Sequence, residues 1–295
     1  MKGSLMLDRR SFLSLAAAGL SVTALVGCGG SPAASDDAPA SDTTTEAEDE
    51  AGTGAVDTGK LIVGFDSSYP PYGYVGDDGE YTGFDLELAQ EVAARNDWEV
   101  QLEPIDWDAK DTMLDSGAIN CIWNGFTMEG REDDYTFSEP YMINGQVIVV
   151  RADSGIASFD DLAGKAVITQ VDSAAYNVLA GEDATQAELA ATFAGLETIG
   201  EYNTAFMQLE SGAVDAVACD LSIAAYQLAA KPDAYVQLDE FLSEEHYAVG
   251  FKKGDDATAD VVNETLRAMD EDGFVSELCD KYAADGISYD NWCLA

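Results

Sequence analysis

Positive charge is scarce in this chain. Its 295 residues include 14 Lys and Arg against 56 Asp and Glu, which gives a formal net charge of −42. Nucleic-acid binding needs clustered basic side chains to neutralise phosphates, and electrostatic docking on anionic lipid needs a basic patch. The composition therefore argues against a nucleic-acid partner and against attachment to a membrane through surface charge.

Histidine and the common catalytic motifs are also lacking. His246 is the only histidine, so a Ser-His-Asp or Cys-His pair would have to be built around it. The sequence contains no GxSxG, P-loop, GxGxxG or HExxH motif, and no CxxC or Cys/His spacing typical of zinc. Catalysis, a cofactor and a metal are therefore not expected.

The chain has only five cysteines. Cys121 and Cys219 lie in apolar runs and are predicted to be small buried hydrophobic residues. Cys279 and Cys293 lie near the C-terminus, where a disulfide can persist in an exported protein. A Cys279–Cys293 bridge and two free thiols are both compatible with this spacing.

Long apolar runs are missing as well, apart from a short one at the N-terminus. Three basic residues precede the run 11–26, which is shorter than the roughly 20 apolar residues that a spanning helix needs. Residues 1–27 are predicted to be an export signal, and DRRSFL (8–13) resembles a twin-arginine signal. LVGC (25–28) resembles a bacterial lipobox, which predicts lipidation of Cys28; a plain secretory signal is the alternative.

A low-complexity segment follows the predicted signal. Residues 31–59 are almost all Ser, Ala, Asp, Thr, Glu, Gly and Pro, without an aromatic or basic residue. Such a segment buries too little apolar surface to offset its ordering entropy, so 28–59 is predicted to be a disordered tether. The expected arrangement is a folded body held by a lipid anchor on the outer face of the cytoplasmic membrane.

The rest of the chain alternates between short apolar runs and amphipathic helical patterns, which predicts an α/β fold with mostly parallel sheets. The predicted strands are 61–65, 98–103, 119–123, 146–150, 166–169, 214–219 and 247–251. The predicted helices are 84–95, 108–116, 173–180, 203–211, 222–230, 257–271 and 273–283.

Two segments repeat one pattern. LDSGAINCI (114–122) and LESGAVDAV (209–217) each read as a helix end, a glycine stop and a buried strand. Because ligands of open α/β sheets bind outside the carboxyl ends of the strands, two such units predict two lobes that face a common cleft. Chance similarity between two βα units is the alternative.

The segment GFDLELAQEVAARN (83–96) resembles the signature of the polar amino acid solute-binding proteins, family 3. YPPY after the first strand, NGFT followed by Arg, FSEPY (137–141) and VIVVRADSG (147–155) also fit this family, and the resemblance spans about 60–295. It implies the type II periplasmic-binding-protein fold, with two α/β lobes joined by two crossover strands.

The same resemblance implies the lobe boundaries and the activity. Lobe 1 would comprise 60–146 and 248–295, and lobe 2 would comprise 147–247. Members of the family capture a polar amino acid between the lobes, as monomers, and deliver it to an ABC permease. Two alternatives remain at this point: an enzyme resembling cyclohexadienyl or arogenate dehydratase on the same fold, and a ligand sensor without transport.

A free amino acid needs a bidentate donor for its carboxylate, an anion for its ammonium group and walls for its side chain. Arg131 offers the planar donor that lysine lacks, although it lies beside Glu129 and two further acids with which it would otherwise pair on the surface. In many relatives five residues separate the Thr of NGxT from the Arg, whereas Thr127 and Arg131 are four apart.

Asp220 follows a buried apolar run, and the resemblance places it at the ammonium partner; the alternative is an N-cap for helix 222–230. Ser173 is similarly an N-cap or a carboxylate ligand, and relatives usually have Gly-Ser/Thr-Ser/Thr where this chain has Asp172-Ser173-Ala174. Asp66 corresponds to a position that contacts the ligand side chain in binders of basic amino acids. The other candidate contacts are Asn124, Gly125, Thr127, Gln170 and Ala174, with Tyr69, Tyr72, Trp107 and Trp123 as aromatic walls.

Overall fold

A computed structural model describes residues 59–294 of the chain. The predicted export signal (1–27), the predicted lipidation site Cys28 and the predicted tether up to residue 58 lie outside the described residues. Within 59–294, no helix is both long and apolar enough to cross a membrane.

Two strands, of ten and thirteen residues, are the longest of the described region and connect the lobes. In chain order the strands of the described region are β1 (Lys60–Phe65), β2 (Ser68–Tyr69), β3 (Gly73–Val75), β4 (Tyr81–Thr82), β5 (Glu99–Pro104), β6 (Cys121–Ile122), β7 (Tyr135–Phe137), β8 (Met142–Arg151), β9 (Ala166–Gln170), β10 (Gly195–Ile199), β11 (Ala216–Asp220), β12 (Tyr235–Tyr247) and β13 (Gly250–Lys252).

The helices flank these strands. They are α1 (Phe84–Arg95), α2 (Lys110–Ser116), α3 (Ala174–Ala180), α4 (Ala187–Ala190), α5 (Tyr202–Ser211), α6 (Leu221–Ala230), α7 (Asp256–Glu271) and α8 (Phe274–Lys281). Short 3-10 turns occur at Trp107–Ala109, Phe159–Leu162, Ala283–Asp285 and Tyr289–Asn291.

Each lobe is built on a five-stranded mixed sheet. The first has the order β5-β1-β6-β13-β7, and the second has the order β10-β9-β11-β8-β12. In each sheet two pairings are parallel and two are antiparallel, so four strands run in one direction and one runs against them. The opposed strand is β13 in the first sheet and β8 in the second. The sheets are therefore mixed, although most strands of each share one direction. The two-lobe α/β fold itself is confirmed; the exact lobe boundaries remain a prediction.

Helix α1 shows why the signature segment folds as it does. Phe84, Leu88 and Val92 recur at i, i+4 spacing and are fully buried, so one face of the helix packs into the core of the first lobe. Gly83 precedes the helix with φ 142°, and a Cβ there would lie 2.2 Å from the carbonyl oxygen of Tyr72. Only glycine fits this close approach of two backbone segments.

The two repeated segments adopt the same structure. Helix α2 ends at Gly117 with φ 75°, and helix α5 ends at Gly212 with φ 76°. Both glycines occupy the left-handed C-cap conformation, and their backbone N–H groups bond to carbonyls of the last turn. Strands β6 and β11 follow, and each carries the chain to the cleft between the lobes.

The largest difference from the predicted elements is β12. The sequence predicts a strand only from residue 247 onward, whereas β12 covers Tyr235–Tyr247 and pairs with β8 along nearly its whole length. Its segment YVQLDEFLSEEHY is rich in acids, which lowers its apparent strand propensity. Long-range pairing with β8 overrides that local preference.

The four cysteines of the described region are all free thiols. Cys121 and Cys219 are fully buried in the core, as predicted. Cys279 and Cys293 are free thiols, so the disulfide that the sequence left open does not form in the structure. The Cys293 thiol instead donates to the carbonyl oxygen of Pro140 at 3.5 Å, while Cys279 is buried on helix α8.

Candidate functional site

The carboxyl ends of β6, β9 and β11 meet between the lobes, and most of the predicted site residues converge there. Ten of the thirteen predicted contacts line one small cavity: Tyr69, Trp107, Asn124, Gly125, Thr127, Arg131, Gln170, Ser173, Ala174 and Asp220. The other three lie elsewhere. Asp66 lines a larger neighbouring cavity, and Tyr72 and Trp123 lie in the core.

Arg131 is buried rather than exposed, with 8% of its surface accessible. Its guanidinium lies 4.9 Å from the centre of the Phe126 ring and donates to the carbonyl oxygens of Thr127 at 2.9 Å and Asp172 at 3.3 Å. Within residues 59–294, no carboxylate lies within ion-pair distance of it. The surface-pairing alternative is therefore excluded, and Glu129 pairs with His246 instead.

Asp220 stands at the end of β11 and is also buried. Its side chain makes no capping bond to helix α6, although the residue occupies the N-cap position. Its Oδ1 accepts from Asn144 Nδ2 at 3.0 Å, Gln146 Nε2 at 2.6 Å and the Tyr247 hydroxyl at 2.9 Å. Since no basic side chain of the described region pairs with it, this buried carboxylate is suited to bind a cation from the cleft.

Ser173 caps helix α3, as one of its two interpretations predicts. Its hydroxyl oxygen accepts from the backbone N–H of Tyr176 at 3.1 Å and shares a hydrogen bond with Thr169. The side chain still lines the cavity with Ala174 and Gln170. Ser173 therefore caps helix α3 and lines the cavity at the same time.

Asp172, which precedes helix α3, makes contacts with the other lobe. Its carboxylate forms an ion pair with Lys110 of α2, which is almost fully buried. Its carbonyl oxygen accepts from Trp107 Nε1 at 3.3 Å as well as from Arg131. A second contact joins the lobes nearby, where Gln170 Nε2 donates to Asp66 at 2.7 Å. The lobes are thus in a closed arrangement.

Asp85 supports the site from behind, and the sequence analysis did not assign it a role there. This acid of the signature helix is fully buried, and its Oδ2 accepts from the backbone N–H of Gly125 at 2.5 Å and from the Tyr141 hydroxyl at 2.7 Å. Burial raises the pKa of Asp85 to about 7. The available signal was the place of Asp85 in the signature segment 83–96, whereas its contact with Gly125 is seen only in the structure.

The aromatic candidates separate into wall and core. Tyr69 and Trp107 line the cavity. Trp123 does not: it is fully buried, and its ring centre lies 6.4 Å from that of Tyr141. The prediction that Trp123 forms a wall is therefore wrong, because the end of β6 turns this side chain into the first lobe. Tyr72 is likewise buried, against Tyr247 and Phe84.

The neighbouring cavity extends from Trp107 and has a volume of about 720 Å³. Four acids line it, and no lysine or arginine does: Asp66, Asp106, Asp108 and Glu201. Burial raises the pKa of Asp66, against the hydrogen bonds from Ser68 and Gln170 that lower it. A cavity of this charge disfavours an acidic group and favours a cationic one.

Four polar residues behind the cavity were not found from the sequence. Asn144 and Gln146 lie on β8, and Glu245 and Tyr247 lie on β12. Each pair recurs at a spacing of two, which places both members on one face of its strand. That spacing could have indicated from the sequence that each pair shares one face of a strand. The many acids of β12 kept the segment from being predicted as a strand.

Two α/β lobes joined by two long strands, with a polar cleft between them, define a two-lobe periplasmic-binding-protein fold. The model of the bacterial extracellular solute-binding proteins, family 3, matches residues 61–285. The chain therefore belongs to this family.

Individual relatives agree with this assignment. The chain is 32% identical to the L-cystine-binding protein TcyJ of Escherichia coli over 232 residues, 76% of this chain and 82% of the relative. A histidine-bound substrate-binding protein of an ABC uptake transporter from Streptococcus pneumoniae has a TM-score of 0.73 and 31% identity, over 78% of this chain and 94% of that one.

A second similar structure bears on the enzyme alternative. An ancestral amino acid-binding protein, a precursor of cyclohexadienyl dehydratase, has a TM-score of 0.68 and 30% identity, over 76% of this chain and 95% of that one. The relatives named here are solute-binding proteins, not enzymes.

Proposed function

We propose that the protein captures a polar amino acid between its lobes and delivers it to an ABC permease. One observation carries this proposal: a buried guanidinium without an acidic partner and a buried carboxylate without a basic partner line the same cavity. An α-amino acid presents the two complementary charges on one carbon. Arg131 would bind its carboxylate and Asp220 its ammonium group.

The site supports this pairing on both sides of the cleft. The fork of Arg131 is held by the Phe126 ring and the Thr127 carbonyl, so its direction is fixed before the ligand arrives. Ala174, the first residue of helix α3, lies at the same wall and would donate its backbone N–H to the ligand's carboxylate. A zwitterion bound from both lobes favours the closed arrangement through its differential affinity.

The acidic neighbouring cavity indicates the kind of ligand side chain. A side chain that extends past Trp107 would meet Asp66, Asp106 and Glu201. We propose that ligands with a cationic or amide side chain, or with a second ammonium group as in cystine, are preferred over aspartate and glutamate. The relatives bind cystine and histidine according to their names, which is compatible with this preference.

A thermal-shift screen against the twenty amino acids and cystine tests the proposal. A ligand that binds only the native state stabilises it by RT ln(1 + [L]/Kd), about 4 kcal/mol at a thousandfold excess over Kd. We expect a shift with a few polar amino acids and none with glutamate. Sugars and short peptides serve as controls, and shifts with these alone would reject the assignment.

We further propose that Cys28 is lipidated and holds the protein at the outer face of the membrane. This rests on the resemblance of 25–28 to a lipobox and on the tether-like composition of 31–59. Because a lipid chain supplies most of the membrane affinity, Cys28→Ala should move the protein from the membrane fraction to the soluble fraction. A variant that still sediments with membranes would contradict the lipid anchor.

A further inference from the structure

A second buried carboxylate lies behind Asp220. Glu245 of the crossover strand β12 is 3% exposed. Its Oε1 accepts from the Thr127 hydroxyl at 2.8 Å, Asn144 Nδ2 at 2.7 Å and Gln146 Nε2 at 2.7 Å. The same two amides donate to Asp220 Oδ1. The two amide groups, each with two N–H bonds, therefore bridge the two carboxylates and hold them close together.

The position of Glu245 follows from the pairing of the crossover strands. Glu245 lies directly opposite Asn144 in the antiparallel register of β12 and β8. Thr127, which donates to Glu245, also lines the ligand cavity, and its carbonyl oxygen binds Arg131. Glu245 thus contacts both sides of the proposed site without lining the cavity itself.

No positive charge of the described region neutralises this pair. Neither carboxylate lies within ion-pair distance of a Lys, Arg or His among residues 59–294. The ionisable groups that face Asp220 are Tyr247, which donates to it, and then Tyr69 and Tyr202. Burial raises the pKa of all three tyrosines well above the usual value, so they stay neutral.

Two adjacent buried carboxylates without a cation cannot both carry a full charge at low cost. They can be neutralised by a proton or by a cation that enters the cleft. Burial, and next the charge of Asp220, raise the pKa of Glu245 to about 7. The Glu245 carboxyl thus exchanges its proton near neutral pH.

We propose that Glu245 is a positioning residue that couples capture of the ligand's ammonium group to the release of one proton. The pair holds a proton when the cleft contains no ligand. When the ammonium group binds beside Asp220, it supplies the compensating charge, and the carboxyl proton of the pair passes to solvent. This inference rests on the proposed function, since it requires a ligand with an ammonium group.

The proposed proton release determines how ligand affinity changes with pH. The ligand favours the deprotonated pair, so affinity is highest above about pH 7 and falls as the pH drops below that value. By linkage, one released proton limits the change to about tenfold in Kd for each pH unit. Between about pH 5.5 and about pH 7.5 the α-carboxylate of L-arginine and L-glutamine stays ionised and their α-ammonium group keeps its proton, so with these two ligands the slope reports on the protein.

Calorimetric titration of the full chain provides the test. L-arginine, L-glutamine and L-cystine are titrated at pH 7 in phosphate and in Tris, whose ionisation enthalpies differ. We expect the apparent binding enthalpy to differ between the buffers, in the direction of proton release, and Kd to rise as the pH is lowered from 7.5 to 5.5. Equal enthalpies in both buffers and a flat pH profile overturn the inference.

A matched pair of variants assigns the effect. Glu245→Gln should abolish the buffer dependence and flatten the pH profile. Glu244→Gln, on the exposed neighbouring position of the same strand, should preserve both. If Glu245→Gln does not fold, Asp85→Asn is the second variant: it should keep the buffer dependence, because Asp85 is the other buried acid next to the cavity with a pKa of about 7, and loss of the dependence in Asp85→Asn overturns the inference. Binding of none of the three amino acids would reject the proposed function and this inference with it, whereas binding without proton release would reject this inference alone.

Discussion

The units α2–β6 and α5–β11 are nearly the same in form and opposite in chemistry. Both end their helices at a left-handed glycine, Gly117 and Gly212, and both continue into a strand that reaches the cleft. The first strand is followed by a loop that leads to Arg131, whereas the second ends directly on Asp220. The shared unit fixes where a strand ends, and in the proposed site the residues after the strand decide which charge of a ligand would be bound there.

The two sides of the cleft also differ in how their charge is supported. Arg131 binds carbonyl oxygens and an aromatic face, so its positive charge is stabilised by fixed dipoles. Asp220 depends on amide donors that it shares with a second acid. The first lobe therefore presents a preformed donor, and the second presents an acid pair whose charge a bound cation would neutralise under our proposal.

The largest expected effect is on the donor side. Removing one member of a desolvated charge pair costs about 2–5 kcal/mol, so Arg131→Ala should weaken ligand binding by roughly 30-fold or more. Arg131→Lys should recover little, because the planar fork is lost. Calorimetric titration with the ligand found by the thermal screen measures both variants.

Two exposed arginines provide the control. Arg95 pairs with Glu91 and Asp272, and Arg267 pairs with Glu139, all at the surface. Surface pairs contribute about 0–1 kcal/mol, so alanine at either position should leave the affinity nearly unchanged. Wild-type affinity in Arg131→Ala would mean that the carboxylate binds elsewhere in the cleft.

Much of this arrangement could be predicted from local pattern. Helix α1 was predicted with its observed limits, because apolar side chains recur at i, i+4 and glycine and asparagine bound it. The ten residues that share the cavity were found because they follow strands in the repeated units or lie in segments that resemble the family.

The remainder depends on contacts between distant parts of the chain. Trp123 follows a strand just as Asn124 does, and only the packing of the first lobe decides which of them faces the cleft. Glu245 was missed because its burial depends on Asn144, which lies 101 residues away. In a chain so rich in acids, a glutamate is expected to be exposed. Only the register of β12 against β8 shows that the Glu245 side chain faces the interior.

A smaller effect is expected from substituting the two helix-ending glycines, which should lower stability without changing ligand binding. Gly117 and Gly212 have nearly the same positive φ, and a Cβ at either has no close contact within 3.4 Å. Alanine costs about 1–2 kcal/mol in the left-handed region, so Gly117→Ala and Gly212→Ala should lower the free energy of unfolding by similar amounts. Denaturant unfolding measures both.

This comparison is informative because only the backbone is tested. Neither glycine lines the ligand cavity, so the affinity of the folded variants should stay within about twofold of wild type, well below the tenfold that corresponds to 1.4 kcal/mol. Clearly unequal losses of stability would show that the two units are not equivalent, despite their matching sequences.

The smallest effect is expected at the contact between the lobes. Lys110 lies over Trp107 at 5.4 Å from the ring centre and pairs with Asp172, whose φ of 55° is left-handed. Because Asp172 is partly exposed, the pair should contribute no more than about 1 kcal/mol to closure. Lys110→Met keeps the aliphatic stem over the ring and removes the charge, so it should weaken ligand binding by about fivefold or less.

A double-mutant cycle with Asp172→Gly separates this ion pair from other effects of each change. Glycine suits the left-handed conformation, so Asp172→Gly should not strain the backbone, and the two substitutions together should cost little more than either alone. Titration of the four proteins with one ligand gives the coupling. If Lys110→Met lost as much affinity as Arg131→Ala, and lost it even in the Asp172→Gly background, Lys110 would be a second cation for the ligand's carboxylate. The donor side of the cleft would then consist of two charges, to match the two acids opposite.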